Sequence, residues 1–377
     1  MALVSLAWHR QGGIERCVWA EAEALAGAGV EVHVFAGNVE EAGASPLPGV
    51  FLHRVPLPAH PWIARLFFFA LRAPAAVAAH GPFDLVHAHT VYLGRADLAT
   101  AHSVHRRAVA MDPPAPGWRR CSAWLKGLPP LSVALSDRTY RQARVRVAIS
   151  RSIAKELKEC YPREAEPTEI LYYGVDHSMF KPLAPAARLR LRKSLGLDQG
   201  PWSLFCGWNW RRKGLDLLLD AMRELPQARL LVLGEDVLEG GHFRALARDR
   251  GLGERVRFAG RQADVAPWFQ ACELFVFPTR YEPFGMVISE AMACGLPVLV
   301  PEAAGASEII RSRRKEQVLA DGAAATDWGR AWGALLASAP LRRSLGRVNL
   351  AAARGLDWAG HGRGLMALYA SLDGGRA

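Results

Sequence analysis

Two carboxylates, Glu282 and Glu290, stand eight residues apart on either side of Phe284-Gly285. Ahead of them, Leu274 to Phe277 is a short apolar run closed by Pro278 and Thr279, which reads as a buried strand. A turn with Pro283 and Gly285 follows, and from Met286 the apolar spacing is helical until Gly295 and Pro297 end it. The strand therefore feeds a glycine turn that opens a helix. Backbone amides of Phe284, Gly285, Met286 and Val287 would then point beyond the strand end, where the helix dipole favours an anion. With all intervening residues helical, the carboxylates would lie roughly 12 Å apart at about 1.5 Å per residue. A nucleophile and acid acting on one glycosidic bond need about 5 Å. The spacing suits the two ends of one elongated ligand, with an anionic part between and neutral hydroxyls on the carboxylates. A capping Glu282 and a solvated Glu290 is the plainer alternative.

Other residues have a chemistry of their own. Ser203 to Gly207 reads as a strand, followed by three consecutive cations, Arg211, Arg212 and Lys213, before Gly214 and an amphipathic stretch. Such a cluster can stabilise a departing diphosphate, where negative charge grows as the bond breaks; as a bland alternative it is a solvated charge run. Near the N-terminus a strand from Leu3 to Ala7 leads to Gly12-Gly13, a helix to about Ala28 and a second strand from Val30 to Phe35. This β-loop-α-β unit begins a doubly wound sheet. It lacks the Gly-x-Gly-x-x-Gly dinucleotide pattern, and the adjacent glycines instead let a ligand approach the backbone. Further strands end at His87 and His89 and at His102 and His105, where histidines can serve as polar site residues.

Glu282, Phe284-Gly285 and Glu290, followed by Ala291-Met292-Ala293-Cys294-Gly295-Leu296-Pro297-Val298, resemble the donor-binding signature of glycosyltransferase family 4. The other motifs agree in order and spacing, so the resemblance covers essentially the whole chain. Within that family it extends to lipopolysaccharide core glucosyltransferases and phosphatidylinositol mannosyltransferases. It implies an α/β GT-B fold, with two Rossmann-like domains facing each other across a cleft. It also implies transfer of a hexosyl unit from a UDP- or GDP-sugar to an acceptor hydroxyl, with retention of configuration. No metal and no other cofactor is expected, and Asp-x-Asp, the usual metal-diphosphate anchor of the other glycosyltransferase architecture, is missing from the chain. By resemblance Arg212 and Lys213 hold the phosphates, Glu282 the sugar hydroxyls and Glu290 the ribose. The amides of Phe284, Gly285, Met286 and Val287 face the diphosphate. Gly12 and Gly13 lie against donor phosphates and acceptor, Gly207 ends the first donor-domain strand, and Arg261 lies where backbone groups hold the base. His102 faces the reacting sugar, with His105 as its competitor. Two departures stand out: Trp208 replaces a common Arg, and Tyr173 replaces the usual Asn of the interdomain Asn-Gly-Val-Asp, a change expected to matter only locally.

A chain of 377 residues has ample core for about two domains. The expected division is 1–181, with a final helix in 356–377 returning to it, and 182–355. Six scattered cysteines without Cys-x-x-Cys spacing suggest reduced thiols and no zinc site. No secretory signal and no run of ~20 apolar residues is read, so a cytoplasmic protein is expected. The net charge of +11 allows nucleic acid, an anionic membrane or phosphorylated substrates. Trp62 to Arg72 is aromatic with two arginines, and nine basic residues with Trp118 and Trp124 fall between Arg106 and Arg146. Both suit a peripheral contact with the inner face of a membrane and a lipid-linked or cell-envelope acceptor such as lipopolysaccharide core. A small soluble acceptor is the alternative, and nucleic acid is not expected, since no recognition module is present. Phosphorylase-like and epimerase readings share the architecture but fit the acidic pair less well; a non-enzymatic sugar-nucleotide-binding scaffold is a third alternative.

Overall fold

The computed structural model describes residues 1–10, 12–39, 47–111, 129–162, 168–197 and 200–373. The chain divides into two units, Met1–Gly174 with Trp358–Ala377, and Val175–Asp357. The first holds a seven-stranded parallel sheet: β1 (Ala2–Trp8), β2 (Val32–Val39), β3 (Val50–Arg54), β4 (Val86–Ala88), β5 (Leu98–Ala101), β6 (Val145–Ala148) and β7 (Thr168–Ile170), in the order β3-β2-β1-β4-β5-β6-β7. The second holds β8 (Ser203–Cys206), β9 (Leu230–Leu233), β10 (Val256–Gly260), β11 (Leu274–Val276), β12 (Val298–Pro301) and β13 (Val318–Leu319), in the order β10-β9-β8-β11-β12-β13. Every pairing is parallel, as crossover helices require. In each sheet the order reverses beside its first strand, between β1 and β4 and between β8 and β11. Ligands of doubly wound sheets bind beyond the carboxyl ends of the strands at such a reversal. The topology thus selects His9, Arg10, Gly12 and Gly13 with His89 in one unit, and Gly207 to Lys213 with Phe277 to Glu282 in the other.

Strand alternation builds the first core on both faces of its sheet. Leu3, Val34 and Val147 join Val18, Trp19 and Leu25 of the helix Ile14–Gly27, and Leu365, Tyr369 and Leu372 of the final helix Trp358–Asp373 complete that cluster. On the opposite face Val4 and Phe35 meet Phe69, Ala73 and Val77 of the helix Trp62–His80.

The helix Trp62–His80 is long and apolar enough by length and composition to cross a membrane, although Arg65 and Arg72 interrupt its apolar run. Its inner face, Ile63, Leu66, Phe69, Ala70, Ala73 and Val77, is buried in this unit, which accounts for the apolar composition. Trp62, Phe67 and Leu71 remain exposed. Arg65 and Arg72 donate to the carbonyls of Pro58 and Pro56, and Arg72 lies over the Phe68 ring. Much of the basic stretch after Arg107, with Trp118, Trp124 and Cys121, lies outside the described residues. None of the other five cysteines is in a disulfide.

The boundaries differ from 181/182 and 355/356. Val175 pairs with Asp357 in a parallel bridge, its amide donates to Leu356 O at 3.0 Å, and His177 bonds the same carbonyl. Phe180 packs edge-on against Phe269 and Met179 O accepts from Gln270, which ties 175–181, and with it the bridged segment 356–357, to the second unit.

Candidate functional site

In the second unit, β8 and β11 deliver two loops to one place. After Gly207 the chain turns through Asn209, and Trp210 is buried, its indole N–H donating to Gly207 O at 2.9 Å and its amide to Asp236 at 2.9 Å. The three cations separate in role. Arg211 donates through Nε and Nη2 to the two carboxylate oxygens of Glu239. Arg212 donates to the Tyr281 carbonyl at 2.9 Å, with its guanidinium over the Trp208 ring at 5.6 Å. Lys213 is 6% exposed and its ammonium contacts the Glu282 carboxylate. Arg280 locks the loops together, donating its amide to Arg212 O and its guanidinium to Asp216. Burial draws Lys213 below the ordinary lysine value, Arg212 adding to the effect, while Glu282 opposes it.

The turn after Glu282 is braced from the other side. Gly305 N donates to Glu282 O at 3.0 Å and Ala306 N to Phe284 O at 2.6 Å. Gly285 has φ +93, a left-handed conformation that disfavours any side chain, and it starts the helix Met286–Ala293. Phe284 is buried, while Met286 and Val287 are half-buried at the helix start. Glu290 lies in the second turn of this helix at 3% exposure, so it is not a solvated charge. Glu282 does not cap the helix, which has no side-chain cap; it pairs with Lys213. The structure therefore gathers Gly207, Arg212, Lys213, Glu282 and Gly285 around the carboxyl ends of β8 and β11. Arg261 stands apart from them, exposed at the end of the edge strand β10.

In the first unit, Gly12 and Gly13 follow β1, and Gly12 has φ +91. His102 follows β5 and is 8% exposed, with both ring nitrogens engaged: Nε2 faces His89 Nδ1 at 3.3 Å and Nδ1 bonds the Tyr173 hydroxyl. The competitor His105 starts a short helix and bonds Ser132 Oγ at 2.8 Å. The Tyr173 departure is consequently not local. The tyrosine is buried, and its hydroxyl also meets Cys17, which donates its thiol to Gly13 O. Burial pushes His102 down to about 4 and His87 down to about 3, so both imidazoles are neutral at pH 7.

Two groups in this cluster were missed in the sequence. Glu21 is 1% exposed; its Oε1 faces His361 Nε2 at 2.9 Å and its Oε2 faces His89 Nε2 at 3.2 Å. Its place in the stripe of Val18, Ala22 and Leu25 was the available signal, a carboxylate on the apolar side of a helix. His361 is brought by the final helix and carried no local signal. Glu21, His87 and His89 could each offer a ligand atom within 4.8 Å of one another. The nitrogens of His87, however, are held by Tyr369 Oη at 3.0 Å and Thr100 Oγ1 at 2.7 Å, so a closed hydrogen-bonded cluster describes them better than an open ligand set.

Family models for Glycosyltransferase Family 4 and for Glycosyl transferases group 1 match residues 11–179 and 200–338. The D-inositol 3-phosphate glycosyltransferase 1 of Catenulispora acidiphila is 30% identical over 330 residues, covering 81% of this chain and 75% of that protein. Among solved structures, WaaG, a glycosyltransferase involved in lipopolysaccharide biosynthesis, superimposes with TM-score 0.82 at 23% identity over 98% of this chain and 99% of its own. Anabaena Alr3699/HepE, solved with UDP-glucose, gives TM-score 0.75 at 18% identity over 98% and 99%.

Proposed function

Because the chain belongs to glycosyltransferase family 4 and is a nucleotide-sugar glycosyltransferase of the GT-B type, we propose that it moves a hexosyl unit from a UDP- or GDP-sugar to an acceptor hydroxyl, with retention and without a metal. The observation that carries this reading is the pairing of Lys213 with Glu282 beside Arg212, at the reversal point of the second sheet. It supplies cations for a leaving diphosphate and a carboxylate for sugar hydroxyls within one cluster. The binding of UDP-glucose by the Anabaena neighbour supports a UDP-sugar first.

The anomeric carbon–phosphate oxygen bond breaks as the carbon bonds the acceptor oxygen on the same face. The acceptor's proton passes to the departing phosphate oxygen, so no enzyme nucleophile is needed. Arg212, Lys213 and the amides at the start of the helix Met286–Ala293 stabilise the charge that develops on the diphosphate. Glu282 accepts from sugar hydroxyls and Glu290 from the ribose. Gly207 keeps the end of β8 open, and backbone groups beside Arg261 meet the base. Gly12, Gly13 and His102 serve the transferred sugar and the acceptor. For the acceptor, the inositol phosphate relatives favour a phosphorylated polyol. A second reading, a lipid-linked acceptor, is favoured by the exposed Trp62, Phe67 and Leu71 on one helix.

The test is thermal stability with UDP-, GDP-, ADP- and dTDP-sugars, with and without EDTA, on wild type and Glu290→Ala. One donor should raise the melting temperature of wild type alone and be indifferent to EDTA. No response to any donor, or a response abolished by EDTA, would overturn the metal-free site. Transfer to an inositol phosphate and to lipopolysaccharide core then separates the two acceptors.

A further inference from the structure

The buried chain of groups in the first unit has a direction. His361 Nδ1 meets the Tyr172 carbonyl at 2.8 Å, an atom that only accepts, so this nitrogen carries a proton. Its other nitrogen faces Glu21 Oε1 at 2.9 Å. Glu21 Oε2 and His89 Nε2 lie 3.2 Å apart as a charge contact, and neither atom has a hydrogen-bond partner elsewhere among the described residues, so each has only the other to turn to. Buried polar atoms require a partner, and a carboxylate oxygen can only accept. His89 must therefore hold its proton on Nε2. Neutral, it offers Nδ1 as an acceptor, so His102 carries its proton on Nε2 and its own Nδ1 takes the single hydrogen of the Tyr173 hydroxyl, which is then not given to Cys17.

We propose that Glu21 is a positioning residue for His102: clamped by His361 from the final helix, its carboxylate sets each proton along the chain through His89 and holds His102 as the Nε2–H tautomer with an accepting Nδ1. His102 in that form can receive a hydroxyl hydrogen at Nδ1 and cannot donate one there. The catalytic consequence rests on the reading of His102 as a group serving the transferred sugar; the tautomer does not. The protonation tendencies agree. Burial would raise Glu21, yet His89 and His361 together bring it below the usual carboxylate value. Burial would lower His361, but the bond from Glu21 overcomes that and raises it. Glu21 is thus a carboxylate that favours a proton on His361, while His87, His89 and His102 stay neutral.

Imidazole nitrogen NMR on the full chain with labelled histidine reads the tautomers directly, with His102 assigned by its loss in His102→Gln. Wild type should show His102 protonated at Nε2. In Glu21→Gln the amide oxygen satisfies His361 and the NH2 group faces His89, so His89 and His102 both invert to Nδ1–H. Glu21→Asp and His361→Gln keep a carboxylate toward His89 and should keep the wild-type tautomer. On the UDP-sugar that stabilises the protein, kcat of Glu21→Gln should fall about 10- to 100-fold, taking the effect of removing the partner that orients a metal-bound imidazole as the guide, with donor KM little changed. Glu21→Asp should recover part of that loss. His102 as Nδ1–H in wild type, or an uninverted Glu21→Gln, would overturn the proposal. Inversion without a change in kcat would overturn its bearing on the reaction. If Glu21→Gln does not fold, the wild-type spectrum and Glu21→Asp decide the tautomer. A wild type with the stated tautomer that responds to no nucleotide sugar would sink the transferase reading and leave the chain of protons standing.

Discussion

Lys213 and Glu282 give an asymmetric prediction. Replacing Lys213 by Met leaves the Glu282 carboxylate, 13% exposed in its side chain, without its cation. Removing one member of a buried pair costs about 3–5 kcal/mol, and the partial exposure of Glu282 places this case near 3. For a unit of this size that is a fall of roughly 6–12 °C in melting temperature. Glu282→Gln should cost less, because burial and Arg212 already weaken the lysine's hold on its proton and a neutral amine remains easily accommodated. The double variant Lys213→Met/Glu282→Gln should regain most of the stability, since a buried pair exchanged whole for neutral groups is close to neutral in energy.

Function should not follow stability. With Lys213 gone, one donor aimed at the developing charge is lost, about 2.7–4 kcal/mol or 10²–10³ in kcat. The double variant should therefore melt like wild type, give no stabilisation by UDP-sugar and turn over as slowly as Lys213→Met. Scanning calorimetry with and without donor, followed by turnover assays, separates the two effects. A double variant as unstable as Lys213→Met would refute the pairing argument, and one that turns over like wild type would refute the phosphate role.

The adjacent glycines should part company. A Cβ on Gly13 meets nothing within 4 Å and its φ is ordinary, so Gly13→Ala should leave the melting temperature unchanged and raise KM for donor or acceptor if a ligand rests there. Gly12→Ala, at φ +91 with the new Cβ against Glu15 Oε2, should cost about 1–2 kcal/mol in stability. The first unit should also be acid-labile. His87 and His102 remain neutral down to about 3 and about 4 when folded but take protons near 6.5 when unfolded, so the unfolded state binds more protons and stability falls from pH 6.5 to about 3. Hydrogen exchange across 86–102 at pH 7, 6 and 5 checks this, and no loss of protection on acidification would contradict it. In vesicle sedimentation, replacing Trp62, Phe67 and Leu71 by Ser should abolish any binding to anionic vesicles and leave turnover on a soluble acceptor unchanged.

The second unit's site was legible because its signals are local. Leu274 to Phe277, the Pro283–Gly285 turn and the helix from Met286 lie within twenty residues, and the cations follow β8 directly. Strands β3, β7 and β13 escaped for a related reason. Each is an edge strand of five residues or fewer: β7 is Thr-Glu-Ile, β13 only Val-Leu, and β3 closes on His53-Arg54, so none sustains the apolar run of a strand covered on both faces.

The first unit's cluster was illegible because its meaning depends on partners far along the chain. His361 reaches Glu21 from 340 residues away. Without the final helix, Glu21 is one more acidic residue on an amphipathic helix, and Tyr173 one more departure from a motif. Packing turns both into constraints: once Glu21 is sealed from water, each of its oxygens needs a donor, and each donor fixes the next proton toward His102. A resemblance can point to the histidine at the end of β5, but it does not say which nitrogen carries the proton. That follows from a carbonyl at one end and a carboxylate in the middle, two acceptors that set the imidazole protons once Tyr173 gives its one hydrogen to His102 rather than to Cys17.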